Sequence, residues 1–233
     1  MKRIIAILAT ILALSLTASA QREYGYGRGH SHNYDRGRHG YELDFMKATN
    51  NVHAGYGVVL TKSWDASAFV VGWSQMVPVS SYSPILLEYG ADVRYSRHRR
   101  DESESTPANR NLTALDVPIS LMYSIPLGTS VSLMPYVGID LCFNLWGRYN
   151  PNDSKSVSCF SDKMVDEYGK EYNRFVLGGH AGVKLAAGPV IIGLTYQTDI
   201  TRLSKETVIK DGKIKTERIK YNYAPLVTVG YIF

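Results

Sequence analysis

Beyond its first 20 residues the chain has no apolar run approaching the ~18 that a spanning helix needs, so no bilayer-crossing helix is expected. Cysteine is almost missing. Cys142 and Cys159 are the only two, too few for a disulfide-stapled scaffold, and their spacing matches no common zinc site. Neither sign of charge dominates: 26 Lys and Arg face 21 Asp and Glu, and two of the bases, Lys2 and Arg3, sit at the extreme N-terminus. So small an excess argues against nucleic acid as a partner. Phosphate-cradling glycine loops, nucleotide fingerprints and zinc-spaced ligands are missing too. No cofactor, metal or catalytic constellation is expected, and the chain reads as non-enzymatic.

What is present begins with an export signal. Lys2-Arg3, an apolar run from Ile4 to Leu16, and small residues at Ala18 and Ala20 predict a signal peptide over residues 1–20, cleaved before Gln21. In an oxidising compartment the two cysteines have the option of pairing as a staple. Residues 21–50 follow as a Gly, His, Tyr and Arg-rich segment with few aliphatic side chains, expected to be flexible. Its His30, His32 and His39 are three imidazoles without an implied geometry, more simply a solvated tail. Tyr41-Glu42-Leu43-Asp44-Phe45 alternates weakly and leaves open whether it adds to the folded part.

From residue 51 to 233 the dominant period is two, the period of a strand. Alternate positions are apolar in eight successive segments: Val52 to Leu60, Phe69 to Trp73, Ile85 to Tyr95, Leu115 to Ile125, Val131 to Phe143, Phe175 to Leu185, Val190 to Tyr196, and Tyr223 to Phe233. Aromatic residues close these apolar faces at Tyr95, Tyr123, Phe143, Phe175, Tyr196, Tyr223 and Phe233, as interfacial girdles do. Short turns at residues 79–84, 126–130 and 186–189 alternate with long polar links at 96–111, 147–172 and 201–220. That asymmetry, with strands of about 9–11 residues, predicts an all-β fold: an eight-stranded antiparallel transmembrane β-barrel after a cleaved signal peptide. An even strand number puts both ends of the barrel on the short-turn side, which predicts a cell outer membrane location with the N-terminus in the periplasm.

The run Leu115-Asp116-Val117-Pro118-Ile119-Ser120-Leu121-Met122-Tyr123, then Leu133-Met134-Pro135-Tyr136-Val137-Gly138, resembles the outer-membrane β-barrel "porin family" domain. There an acidic-aliphatic-Pro-aliphatic strand leads through a tight turn to one holding Pro-Tyr-aliphatic-Gly. The resemblance covers roughly residues 52–233 and implies a small barrel of Gram-negative bacteria. The chain is also similar to the barrel component of a protein-secretion machine.

The positions between the apolar ones carry the chemistry. Glu88, Asp92, Arg94, Asp116, Asp140, Arg174, His180, Lys184 and Asp199 are expected to face the bore, joined by His53. An eight-stranded barrel has room only for side chains, so this set reads as a charge network plugging the lumen or, alternatively, as a narrow path for ions or small solutes. Lone buried charges are costly, which favours pairing. Near the outer side, His98 with Ser96, Asp101, Glu102 or Ser103 is a candidate lipid-modifying site. The surrounding run, Arg97 to Glu104, reads more simply as a solvated loop able to touch charged lipid head groups. Expected partners are outer-membrane lipid and lipopolysaccharide, the barrel-assembly machinery through the last strand ending in Phe233, and a protein at the surface loops or the periplasmic tail. The expected role is structural or surface-interacting, with a narrow channel or a part in protein export as alternatives.

Overall fold

The computed structural model describes residues 48–60, 64–80, 83–100, 108–128, 130–151, 155–210, 213–219 and 222–233. The signal peptide, residues 21–47 of the tail with their histidines, and the alternation at 41–45 lie outside the described residues. Along the chain come β1 (Thr49–Leu60), β2 (Trp64–Pro78), β3 (Ile85–Arg100), β4 (Ala108–Tyr123) and the two-residue β5 (Ile125–Pro126). Then follow β6 (Val131–Pro151), β7 (Val157–Ser158), α1 (Asp162–Tyr168), β8 (Lys170–Tyr172), β9 (Phe175–Ala187), β10 (Val190–Asp199), β11 (Ser204–Lys210), β12 (Lys213–Ile219) and β13 (Asn222–Ile232).

Eight of these strands pair in a closed ring, β1-β2-β3-β4-β6-β9-β10-β13, with β13 returning to β1 and every pair antiparallel. The fold is an eight-stranded transmembrane β-barrel. Closure leaves no strand edge whose backbone would go unpaired in hydrocarbon. The wall starts two residues before the expected boundary at 51: Asn50 and Phe233 exchange both backbone bonds, at 3.1 and 2.9 Å. On the short-turn side Gly188 adopts φ 58° between β9 and β10, a left-handed conformation that an L side chain resists.

Alternation explains the burial. Val52, Phe69, Val71, Val93, Leu121, Val137, Ile139, Ile192, Leu194, Val227 and Val229 all point outward and are exposed. So large a continuous apolar surface is what hydrocarbon, not water, tolerates. Aromatic side chains edge the band. Tyr56, Phe69 and Tyr95 are cross-strand neighbours in one row on the long-link side, and Phe143 and Phe175 pack 5.2 Å apart between ring centres. Tyr123, Tyr231 and Phe233 mark the other side. Tyr95 and Ile85 lie ten residues apart on β3, about 33 Å along a strand and about 25 Å along the axis at a tilt near 40°. That height matches a bilayer core.

Much of the long link at 96–111 is strand, not loop: β3 runs on to Arg100 and β4 starts at Ala108. Likewise β6 continues to Pro151, past the start of the expected 147–172 loop. The other long links fold too. Residues 155–172 hold β7, which pairs with β6, then α1 and β8; β11 and β12 form a hairpin that pairs with β8. α1 ends on Gly169 in the left-handed conformation (φ 63°), whose N–H bonds the Val165 carbonyl at 3.0 Å.

Candidate functional site

The bore has three levels. At the short-turn end Met76, Leu86, Met122, Met134, Ala186, Ile191 and Ile232 form an apolar cluster, although the alternation predicts a polar inward face there. At the long-link end Met164 of α1 and Cys159, both essentially inaccessible, pack with Leu112, Tyr149, Tyr172, Val176 and Leu203 into a second apolar cluster. Between them lies the charged layer.

Each expected charge in that layer except Arg174 is buried or nearly so. Lys184 Nζ donates to both Glu88 oxygens at 2.6 Å, and the Ser74 hydroxyl donates to Glu88 Oε1 at 2.7 Å. Arg94 holds Asp116 with two bonds, Nε to Oδ2 at 3.1 Å and Nη2 to Oδ1 at 3.3 Å, and Nη2 also reaches Cys142 Sγ at 3.0 Å. His53 Nε2 lies 3.1 Å from Asp92 Oδ1. Asp199 is buried at the long-link end of β10. Bidentate and charge-assisted bonds of this kind offset the cost of removing ions from water.

His180 stands between two partners: Nδ1 is 2.8 Å from Asp140 Oδ1, and Nε2 is 2.7 Å from the Ser120 hydroxyl. Ser120 and His180 bridge over the strand between them because Gly138 occupies the intervening position; a Cβ there would lie 2.4 Å from His180 Nε2. Gly72 does the same for Asp92 and His53, since its missing Cβ would sit 1.8 Å from Asp92 Oδ1. The period-two alternation puts Ser120 on the inward face but does not join it to His180. The signal available was Gly138 and Asp140 two apart on one strand, with Ser120 and His180 flanking that glycine in register.

Ser120, His180 and Asp140 have the spacing of a nucleophile, base and orienting acid. Their surroundings do not suit an acyl substrate. The central cavity they line measures about 70 Å³, room for a few waters. Ser120 is 2% exposed, and apolar clusters occupy the bore above and below.

Three expectations need correction. Arg174 precedes β9 and is exposed at the long-link rim, where its guanidinium lies 4.5 Å from the Phe160 ring centre and donates to the Leu145 carbonyl. The alternation that assigns it inward fails because the strand begins one residue later. Cys142 and Cys159 are both free. Cys159 donates its N–H to the Gly147 carbonyl at 3.0 Å, and Gly147 lies about 15 Å along β6 from Cys142, whereas a disulfide needs Cα atoms within about 7 Å. His98 is fully buried on the inward face, 3.2 Å from the Ser96 hydroxyl, so neither lipid nor solvent reaches the pair.

No protein-family model matches the chain, and no curated protein does. Among solved structures it is similar to Neisserial surface protein A, at 14% identity over 80% of this chain and 97% of that one, with a TM-score of 0.39. It is similar to Ail, the attachment invasion locus protein of Yersinia pestis, in complex with the heparin analogue sucrose octasulfate, at 14% over 81% and 100% (TM-score 0.41). A third is the outer membrane enzyme PagL, at 11% over 78% and 98% (TM-score 0.43). At such identities these likenesses say nothing of what this chain does.

Proposed function

We propose that the chain is a closed, non-conducting barrel of the Gram-negative outer membrane whose role is structural or surface-interacting, exercised through the folded cap over its outer mouth. The observation that carries this reading is the filling of the bore with side chains: Met164 of α1 and Cys159 are buried in an apolar cluster at the long-link end, and the charged layer beneath is paired. A path for ions needs unpaired, hydrated groups along its length, and the apolar clusters offer none. The shorter turns then face the periplasm, with the N-terminal tail on that side. The exposed face of α1, with Lys163, Val165 and Asp166, is what the cap presents outward.

Planar-bilayer recording of the full chain tests closure. No unitary conductance is expected; steps that vanish in Arg94→Gln/Lys184→Gln would establish a channel instead. Attachment of cells carrying Val165→Asp/Asp166→Lys, against cells carrying the unaltered chain, tests the surface role, and equal attachment leaves only the structural one. A second reading, a hydrolase, draws on the Ser120-His180-Asp140 spacing alone. Covalent labelling of Ser120 by a fluorophosphonate in the folded barrel would establish it; none is expected behind closed apolar layers.

A further inference from the structure

On the outer surface, just above the aromatic row, the register aligns polar residues of four neighbouring strands: Arg97 on β3, Asn111 on β4, Arg148 on β6 and Ser158 on β7. The row directly beneath reads Tyr95, Thr113 and Trp146. Strand β6 carries a bulge there: Thr113 pairs Trp146 and Ala114 pairs Asn144, leaving Leu145 extra. The bulge turns Trp146 outward, 62% exposed. With the smaller Thr113 between two aromatic walls, the surface opens into a groove of about 960 Å³ running from Tyr95 and Trp146 up to Arg148 and Ser158.

The chemistry of the groove is graded. Its lower part is aromatic, at the level where a membrane's interface lies, and the cationic row stands two residues higher, about 5 Å along the axis. Arg97 and Arg148 are both exposed, and neither has an ion pair or hydrogen bond among the described residues. Asn111 Oδ1 is buried between them, also without a partner there. One strand separates the two arginines, a span of about 10 Å between Cα atoms that two long side chains close onto a single anion.

We infer that this groove binds a phosphorylated lipid of the outer leaflet, with the phosphate held at its upper end by Arg148, which lines it, and by Arg97, which stands beside the lining Asn111 on the next strand, and an acyl chain lying against Tyr95 and Trp146. Charge complementarity selects an anionic head group, and continuity with the apolar band selects a molecule that has chains as well as phosphate. Free phosphate lacks the second part. The site rests on the reading that turns the long links outward, but it stands apart from the bore and does not depend on whether the barrel conducts.

Native mass spectrometry of the full chain, released from phosphatidylcholine nanodiscs doped with bis-phosphorylated lipid A, reads the site. The unaltered chain is expected to retain the phosphorylated lipid, and Arg97→Gln/Arg148→Gln to retain about thirtyfold less, since each basic group near an anionic surface contributes about fivefold. Lys163→Gln/Lys205→Gln, which removes the same charge elsewhere, retains it fully, and dephosphorylated lipid A is not retained. Trp146→Leu keeps both arginines and still weakens retention, which separates the groove from charge alone. Heat-modifiable gel mobility establishes that each variant has folded. Undiminished retention in the double arginine variant, an equal loss in the lysine control, or displacement by millimolar inorganic phosphate overturns the assignment.

Discussion

Replacing Lys184 by Met leaves Glu88 as an ion in the bore without its counter-charge. The two side chains are 12% and 5% exposed, and their bonds measure 2.6 Å. The ammonium also lies 5.2 Å from the Tyr136 ring centre, a second contact that the substitution removes. Removing one partner of a buried pair costs about 3–5 kcal/mol, because the remaining charge keeps its desolvation penalty and loses its compensation. Removing both is a different perturbation. In Lys184→Met/Glu88→Met the ions vanish together, and the chief residual cost is the Ser74 hydroxyl, which loses its acceptor at about 1 kcal/mol. The double variant is therefore expected to be more stable than the single one by about 2–4 kcal/mol, although it carries more substitutions. Urea titration of the barrel in detergent micelles, followed by tryptophan fluorescence and by the fraction keeping folded gel mobility, measures both. A single variant costing under about 1 kcal/mol would refute the reasoning, since it would mean that water screens the pair and that the bore is wet.

Gly138→Val should lower folded yield by the equivalent of about 1–3 kcal/mol, because its Cβ would lie 2.2 Å from the Ile119 carbonyl and displace His180; gel mobility after refolding reads it. Met164→Asp puts a charge into the outer apolar cluster and should make residues 155–172 sensitive to protease added to intact cells, while conductance stays at zero because the paired layer and the lower cluster still close the bore. Burial pushes the Cys159 thiol up to about 11 from the ordinary 9.0. The folded cap therefore holds that proton where the unfolded chain has lost it, so the contribution is complete below pH 9 and disappears as pH rises towards 11. Maleimide labelling of Cys159, quantified by peptide mass spectrometry, should be slow at pH 8 and accelerate over that interval.

The wall was legible because lipid and bore impose opposite demands on successive residues, and a period of two records them directly. Phe69, Val93, Leu121, Val137 and Val229 lie outward as the alternation predicts, and Glu88, Asp116 and His180 lie inward. The ends of strands were not legible in this way. Beyond the bilayer both faces meet water or the cap, so the contrast fades, and the pairing of Arg97 with Asn111 looks like loop. Met76, Met122 and Met134 stand at inward positions that the alternation reads as polar, because the lower bore is filled by packing and not by charge. The cap was hidden for a further reason. Met164, Cys159 and Leu203 are far apart in sequence, and only the folded links bring them to the same place. The Ser120-His180 bond depends similarly on a register across three strands, which composition does not report.

Several of the bonds inside the bore pass over neighbouring staves. Lys184 on β9 reaches Glu88 three strands away, while His53 to Asp92 and His180 to Ser120 each step over one. They act as tie rods across a hoop, resisting any tendency of the cylinder to flatten under lateral pressure from the bilayer. A hoop so braced keeps its outer mouth round, and a round mouth gives α1 a rigid seat.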